Sequence, residues 1–305
     1  MENIVKILFG EYSAKINITR GANCISLKNS KYNASVLREP DYSKPLDNPY
    51  LYGMPILFPV NRIEGGEFVF ENRKYRFPIN EAKIGCHLHG ELHALPFIIK
   101  EQNENSVRCV YTSNGDYMGF PHAFKVDICY TLDNRGFVQE TEIFNLSDEN
   151  MPLFLRFHTT FNIPFVKDSV SENVCVFAEV GDEIERNMSL YLPTGKILPS
   201  DTISKQFNSG EFAPLEKSIS RHYRAQKSGA IELYDKVKKL RVIYENDEKF
   251  KWRLFYNGNA DEFICLEPQT CMANCQNSPF DRDYAGFDYI KPYSSKKYTS
   301  RIYIT

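Results

Sequence analysis

Along most of the chain apolar and polar residues alternate one by one, the pattern of a strand with one buried face and one wet face. From Phe124 to Tyr130 the residues Phe124, Val126, Ile128 and Tyr130 share a face, opposite Lys125 and Asp127. Val107, Cys109 and Tyr111 repeat the pattern, as do Leu240, Val242 and Tyr244. Between Phe137 and Phe144, Glu140 and Glu142 fall on one side and Thr141 and Ile143 on the other. The final Arg301–Thr305 is rich in β-branched and aromatic residues and reads as a last strand.

Turn residues punctuate these runs at Asn114-Gly115, Asp133-Asn134-Arg135-Gly136, Asn208-Ser209-Gly210 and Asn257-Gly258. Gly66–Phe77 predicts a hairpin, with Phe68 and Phe70 answered by Tyr75 and Phe77. Helical periodicity is scarce. Residues 209–225 are the best helical candidate, and Pro214 interrupts them. Many short strands at regular spacing predict an all-β sandwich or barrel. No linker, low-complexity tract or repeat divides the chain, so residues 1–305 read as one domain.

Composition narrows the class. The chain has 305 residues, 42% of them hydrophobic, enough for a substantial core without disulfide or metal staples. No apolar run approaches the roughly 20 residues of a membrane span. The 37 basic and 39 acidic residues leave a formal charge of −2, which gives no electrostatic reason to expect nucleic acid or an anionic membrane as partner. The expected partner is a small neutral molecule, and the expected state a monomer or weak homodimer. The first residues lack the basic start, apolar centre and small-residue site of a secretory leader, so a cytoplasmic location is expected. The eight cysteines then read as free, mostly buried thiols.

Three segments carry unusual residues. Met54-Pro-Ile-Leu-Phe-Pro-Val-Asn-Arg-Ile63 is an apolar run ending in Asn61 and Arg62. On the residues alone, an arginine there fits a structural ion pair. Cys86–His93 holds three of the six histidines, His87, His89 and His93. Two histidines two apart on a strand share a face, yet no carboxylate follows at a zinc-site spacing, so no metal is expected. Gly90 after His89 suits a ring held close to a ligand, because glycine allows close backbone approach. Phe263-Ile-Cys-Leu-Glu-Pro-Gln-Thr270 places Glu267 between an apolar strand and Pro268, which is expected to end the ladder. A carboxylate leaving a buried strand there can have a raised pKa and act as a base; a solvated strand end is the plainer alternative.

In this order the segments resemble the aldose 1-epimerase (galactose mutarotase) family. The resemblance runs from Tyr50–Pro59 through Asn61-Arg62-Ile63, the Gly66–Phe77 hairpin, Leu88-His89-Gly90, Phe157–Pro164, Tyr191–Gly195 and Leu266–Thr270 to the closing strands from Gly286. It implies a large antiparallel β-sandwich with an open sugar cleft. It implies Glu267 as general base, His158 as general acid and His89 beside the ring oxygen. It also implies that Arg62, with Asn61, binds sugar hydroxyls. Members commonly carry an aspartate gripping sugar hydroxyls where this chain has Ser218–Ala225. No aspartate stands there, and His222 falls near that place.

The implied reaction is interconversion of the α and β anomers of a free aldose such as glucose or galactose. A base takes the anomeric proton while an acid protonates the ring oxygen, so no cofactor is expected. Histidine suits the acid because its ordinary pKa, about 6.5, lets both protonation states exist near neutrality. Sugars stack on aromatic faces, with Phe161, Trp252 and Tyr256 as candidates, although each also suits the core. A hexose-6-phosphate 1-epimerase is one alternative, with Arg221 and Arg224 as phosphate partners. A carbohydrate-binding protein without turnover is the other. Glycosidase chemistry usually needs two carboxylates and fits less well.

Overall fold

The alternating segments pair into two large antiparallel sheets. The computed structural model describes residues 3–46, 48–226 and 229–305. One eight-stranded sheet runs in the order Ile98–Gln102, Ser106–Asn114, Ala123–Asp133, Gly136–Asn145, Ser295–Ile304, Leu240–Asn246, Ile231–Asp235, Val174–Ala178. Each strand predicted from alternation lies in it, and Phe124, Val126, Ile128 and Tyr130 are buried together. The Asp133–Gly136 turn closes the longest hairpin, with Asp133 opposite Gly136. The last strand inserts between Gly136–Asn145 and Leu240–Asn246, so sequence-distant segments close the sheet.

The second sheet carries the site. Its order is Leu192–Leu198, Val180–Asn187, Ser220–Ala225, Trp252–Tyr256, Phe263–Gln269, Arg156–Phe157, Ile56–Leu57, and Thr160–Asn162 also pairs with Phe263–Gln269. A four-stranded sheet, Ile4–Phe9 to Ala34–Ser35, packs on the first, and the Tyr130 hydroxyl donates to the Ala22 carbonyl at 2.8 Å. The two large sheets meet through Phe161 and Tyr244, whose ring centroids lie 5.6 Å apart. Beside them the Thr159 and Tyr244 hydroxyls share a hydrogen bond of 2.9 Å.

Two expectations are corrected. The Phe263–Gln269 strand runs through Pro268 and is buried at all seven positions. The missing N–H is bracketed by bonds that survive, Leu266 N–H to the Thr159 carbonyl and Thr270 N–H to the Leu155 carbonyl. Only Ser209 of residues 209–225 is helical: the rest hold a loop and the Ser220–Ala225 strand. The helix is Thr202–Ser209, started by an Asp201–Ser204 capping box and stopped by Gly210 in the left-handed region. The Asn208-Ser209-Gly210 turn signal is therefore a helix end. The Gly66–Phe77 hairpin forms with Phe68 opposite Tyr75 and Phe70 opposite Arg73. Seven of the eight cysteines are buried and all are free.

The segment leading into the site is locked at Gly53, whose φ is +70° and whose missing Cβ would stand 2.4 Å from the Cys24 carbonyl oxygen. Its own carbonyl accepts from Thr160 N–H at 2.9 Å. Gly53→Ala therefore strains the backbone and pushes two strands apart. A loss of about 1–3 kcal/mol is expected from the backbone strain alone, read as a lowered urea midpoint.

Candidate active site

The second sheet forms the floor of a cleft of about 690 Å³, walled by the 48–62 segment, the Leu88-His89 turn and the 186–191 and 254–259 loops. Glu267, His158, Arg156, Asn61, Arg62 and His89 all line it. They come from four separate stretches, and strand pairing brings them together. Arg156 and His158 sit two apart on one edge of the Phe263–Gln269 strand, and Arg156 is directly opposite Gln269.

Glu267 is fully buried, and its two oxygens have different surroundings. Oε2 lies 2.8 Å from Arg156 Nε and accepts a hydrogen bond from Gln269 Nε2 at 3.3 Å. Gln269 Oε1 accepts from Asn61 Nδ2 at 2.8 Å, and Asn61 Oδ1 accepts from Arg156 Nη1 at 2.7 Å. Arginine, asparagine, glutamine and glutamate thus form a closed ring that fixes the carboxylate. Oε1 is the free oxygen: it is buried, lies 3.2 Å from His158 Nε2, and receives no aligned hydrogen bond. Burial pushes the Glu267 carboxyl up to about 7, against the opposing pull of Arg156, Gln269 and Arg186.

His158 departs from the expectation. Burial, then the positive charge of Arg156, holds its pKa well below the ordinary value, so it rests neutral. Its Nε2 lies 3.2 Å from Glu267 Oε1. Its ring stacks near Tyr50, with centroids 6.2 Å apart.

His89 and Asn61 both adopt left-handed backbone, with φ of +63° and +62°. They hold each other there: His89 N–H donates to the Asn61 carbonyl and Asn61 N–H donates to His89 Nδ1, each at 3.2 Å. His89 therefore accepts on Nδ1, burial and Arg156 push its pKa well down, and its Nε2 lies 3.4 Å from Arg156 Nη2, a group that can only donate. Such strain in non-glycine residues concentrates at functional sites. Gly90 has a different reason from the one expected: a Cβ there would meet the Phe58 carbonyl oxygen at 2.1 Å, so the close approach is to backbone. His87 underpins this turn, accepting the Gly90 N–H on Nε2 and bonding the Pro78 carbonyl through Nδ1.

The other candidates divide. Arg62 pairs with Glu81 through both Nη2 and Nε at 2.7 Å and stacks on Tyr191, while still bordering the cleft. The Asn61 amide bonds Gln269 and Arg156 inside the ring while Asn61 still borders the cleft, so it positions the carboxylate. His222 is fully buried with its ring against Trp252, at 5.4 Å between centroids, and does not reach the cleft wall. A buried strand position holds it away, which corrects its assignment as a sugar ligand. Phe161 and Trp252 are core residues, whereas Tyr256 borders the cleft. Arg221 is bound to Glu183 and Asp201, and Arg224 lies over the Tyr284 ring, so neither serves as the expected phosphate partner. His158, Cys265 and Glu267 bring three potential metal ligands within 4.8 Å of one another. Arg156 against the same carboxylate opposes a cation there, and burial keeps the Cys265 thiol protonated.

Comparison with known proteins decides the family. The aldose 1-epimerase family model matches residues 5–284. The chain belongs to the aldose 1-epimerase family. Its backbone is similar to a galactose mutarotase-like protein from Clostridium acetobutylicum, with 28% identity, a TM-score of 0.93, and coverage of 100% of this chain and 98% of that one. Two more distant structures share the fold. A galactose mutarotase-like protein from Lactobacillus casei has 16% identity and a TM-score of 0.73, over 99% of this chain and 100% of that one. A galactose 1-epimerase from Lactobacillus acidophilus has 15% identity and a TM-score of 0.72, over 100% and 98%.

Within this aldose 1-epimerase family member, sequence reasoning missed Arg156, Gln269 and Arg186. An arginine two residues before a histidine on an otherwise apolar segment was the available signal for Arg156. Removing it by Arg156→Gln leaves Glu267 buried without its cation. The carboxyl pKa is then expected to rise above about 7, followed by carbon-13 NMR of the glutamate carboxyl, with a stability loss of roughly 3–5 kcal/mol.

Proposed function

We propose that this protein is an aldose mutarotase, with Glu267 as base and His158 as acid at the anomeric centre. The observation that carries the reading is Glu267 Oε1, a buried carboxylate oxygen without an aligned donor, 3.2 Å from an imidazole nitrogen and bordering a cleft. A buried unfilled acceptor is costly, and such atoms call for a functional account. A hemiacetal supplies one: its hydroxyl donates to the free oxygen.

The hydroxyl and ring oxygens of a hemiacetal share one carbon, so an acid and a base that are near neighbours can serve both. Glu267 removes the anomeric proton as His158 protonates the ring oxygen, and the ring opens to the aldehyde. Rotation about the adjacent carbon–carbon bond exposes the other face, and reversing both transfers closes the second anomer. Arg156 keeps the carboxylate aimed and offsets the cost of its charge. His89 borders the cleft beside Arg156 and holds the Asn61 turn. The substrate class is a free monosaccharide, and Tyr50, Tyr191 and Tyr256 offer aromatic faces around it.

The reactive form carries one proton on the pair, placed on His158. Because the Glu267 pKa lies above that of His158, this form is the minor partner of protonated Glu267 beside neutral His158. The two share the same total charge and the same pH dependence. Loss of that single proton near pH 7 removes the acid. Polarimetry of freshly dissolved α-glucose and α-galactose, corrected for the buffer rate, is expected to show catalysis falling as pH rises through about 7. A rate that instead grows through pH 7 would mean that Glu267 works as a base without an imidazolium partner. Glu267→Gln and His158→Asn are each expected to lose about 10²–10⁴-fold in rate with the fold retained by circular dichroism. Near wild-type rates in either variant remove that residue from the mechanism.

A further inference from the structure

Three arginines, Arg62, Arg156 and Arg186, and two glutamates, Glu81 and Glu267, line the cleft. Arg62 is bound by Glu81 and Arg156 by Glu267. Arg186 has no carboxylate partner among the described residues. Its Nη2 donates to the Ser220 carbonyl at 2.6 Å and to the Ser220 hydroxyl at 3.0 Å, both neutral acceptors. With Glu267 ionised, one positive charge is left over at this end of the cleft.

The fold places that charge deliberately. The pairing of Val180–Asn187 with Leu192–Leu198 shifts register between Ile184 and Arg186, a bulge of the kind that re-aims a side chain. Burial and the neighbouring Arg62 push the Arg186 pKa down to about 10, showing a cation held where water solvates it poorly. Such a group is costly without an anion. The hydroxyl-bearing Ser218 and Ser220 and the backbone of Gly258 and Asn259 border the same end. Ser220 pairs with Tyr256 and Tyr256 with Cys265, so the backbones of Ser220 and Glu267 are on the order of 10 Å apart at ordinary strand spacing. That span suits a pyranose with its anomeric carbon at Glu267 and its exocyclic carbon at Arg186.

We propose that the preferred substrate is an aldose carrying a single negative charge on its exocyclic carbon, a hexuronate carboxylate, seated on Arg186. This deepens the mutarotase reading and rests on it. One unpaired arginine matches a monoanion in charge, and a guanidinium–carboxylate hydrogen bond is charge-assisted. A phosphate dianion would require a second free cation, and Arg221 and Arg224 are engaged elsewhere.

The test measures anomer exchange by NMR magnetisation transfer on D-glucuronate, D-galacturonate, D-glucose, D-galactose and D-glucose 6-phosphate, at fixed ionic strength. A KM at least about tenfold lower for a uronate than for its neutral aldose is expected. Arg186→Gln should erase most of that ratio and Arg186→Lys should restore part of it. Equal or weaker use of uronates, with neutral sugars turned over, overturns the assignment and leaves the mutarotase reading standing. A lower KM for glucose 6-phosphate than for either uronate overturns it as well. Acceleration of none of the five sugars sinks both.

Discussion

The site depends on a carboxylate kept ionisable inside a fully buried strand. Glu267 has no exposed surface, and an isolated charge at that depth would simply take up a proton. Arg156 prevents this from one side, and the asparagine–glutamine bridge prevents it from the other. The balance leaves the carboxyl near neutrality, where it can release and accept a proton. Nearly every other feature of the cleft follows from holding that ring of four side chains in register. The strained backbones of Asn61 and His89 bring the asparagine into the ring, and Gly53 and Gly90 allow the segments carrying them to pack closely.

The same arrangement explains why His158 rests neutral. Arg156 stabilises negative charge on its neighbour and opposes positive charge on the imidazole. His158 and Glu267 stand 3.2 Å apart and both feel the Arg156 charge, so their protonation is linked. This linkage ties the chemistry to the packing, since whatever shifts Arg156 shifts both partners.

Much of this was legible beforehand. The alternation of Phe124–Tyr130 and the hairpin at Phe68 and Tyr75 describe local geometry, and local geometry is what sequence periodicity reports. The histidine and glutamate segments were visible because their residue types are unusual in apolar runs. The ring was not legible, because Asn61, Arg156 and Gln269 meet only after distant strands pair, and each reads alone as an ordinary strand polar residue. His222 misled because it falls where relatives commonly carry the aspartate, while strand pairing buries its ring against Trp252. The helix was displaced because an Asp201–Ser204 cap is a short-range signal that overrides weak periodicity downstream.

The central proposal is that this site moves protons to and from the two oxygens of the anomeric centre and breaks no carbon–hydrogen bond. Two-dimensional exchange NMR of glucose in deuterated buffer with a trace of the wild-type protein tests it most directly. The account requires cross-peaks between the two anomeric protons that grow with protein concentration, with no deuterium appearing at the second carbon. Cross-peaks no stronger than those of buffer alone, or deuterium entering the second carbon, would contradict it.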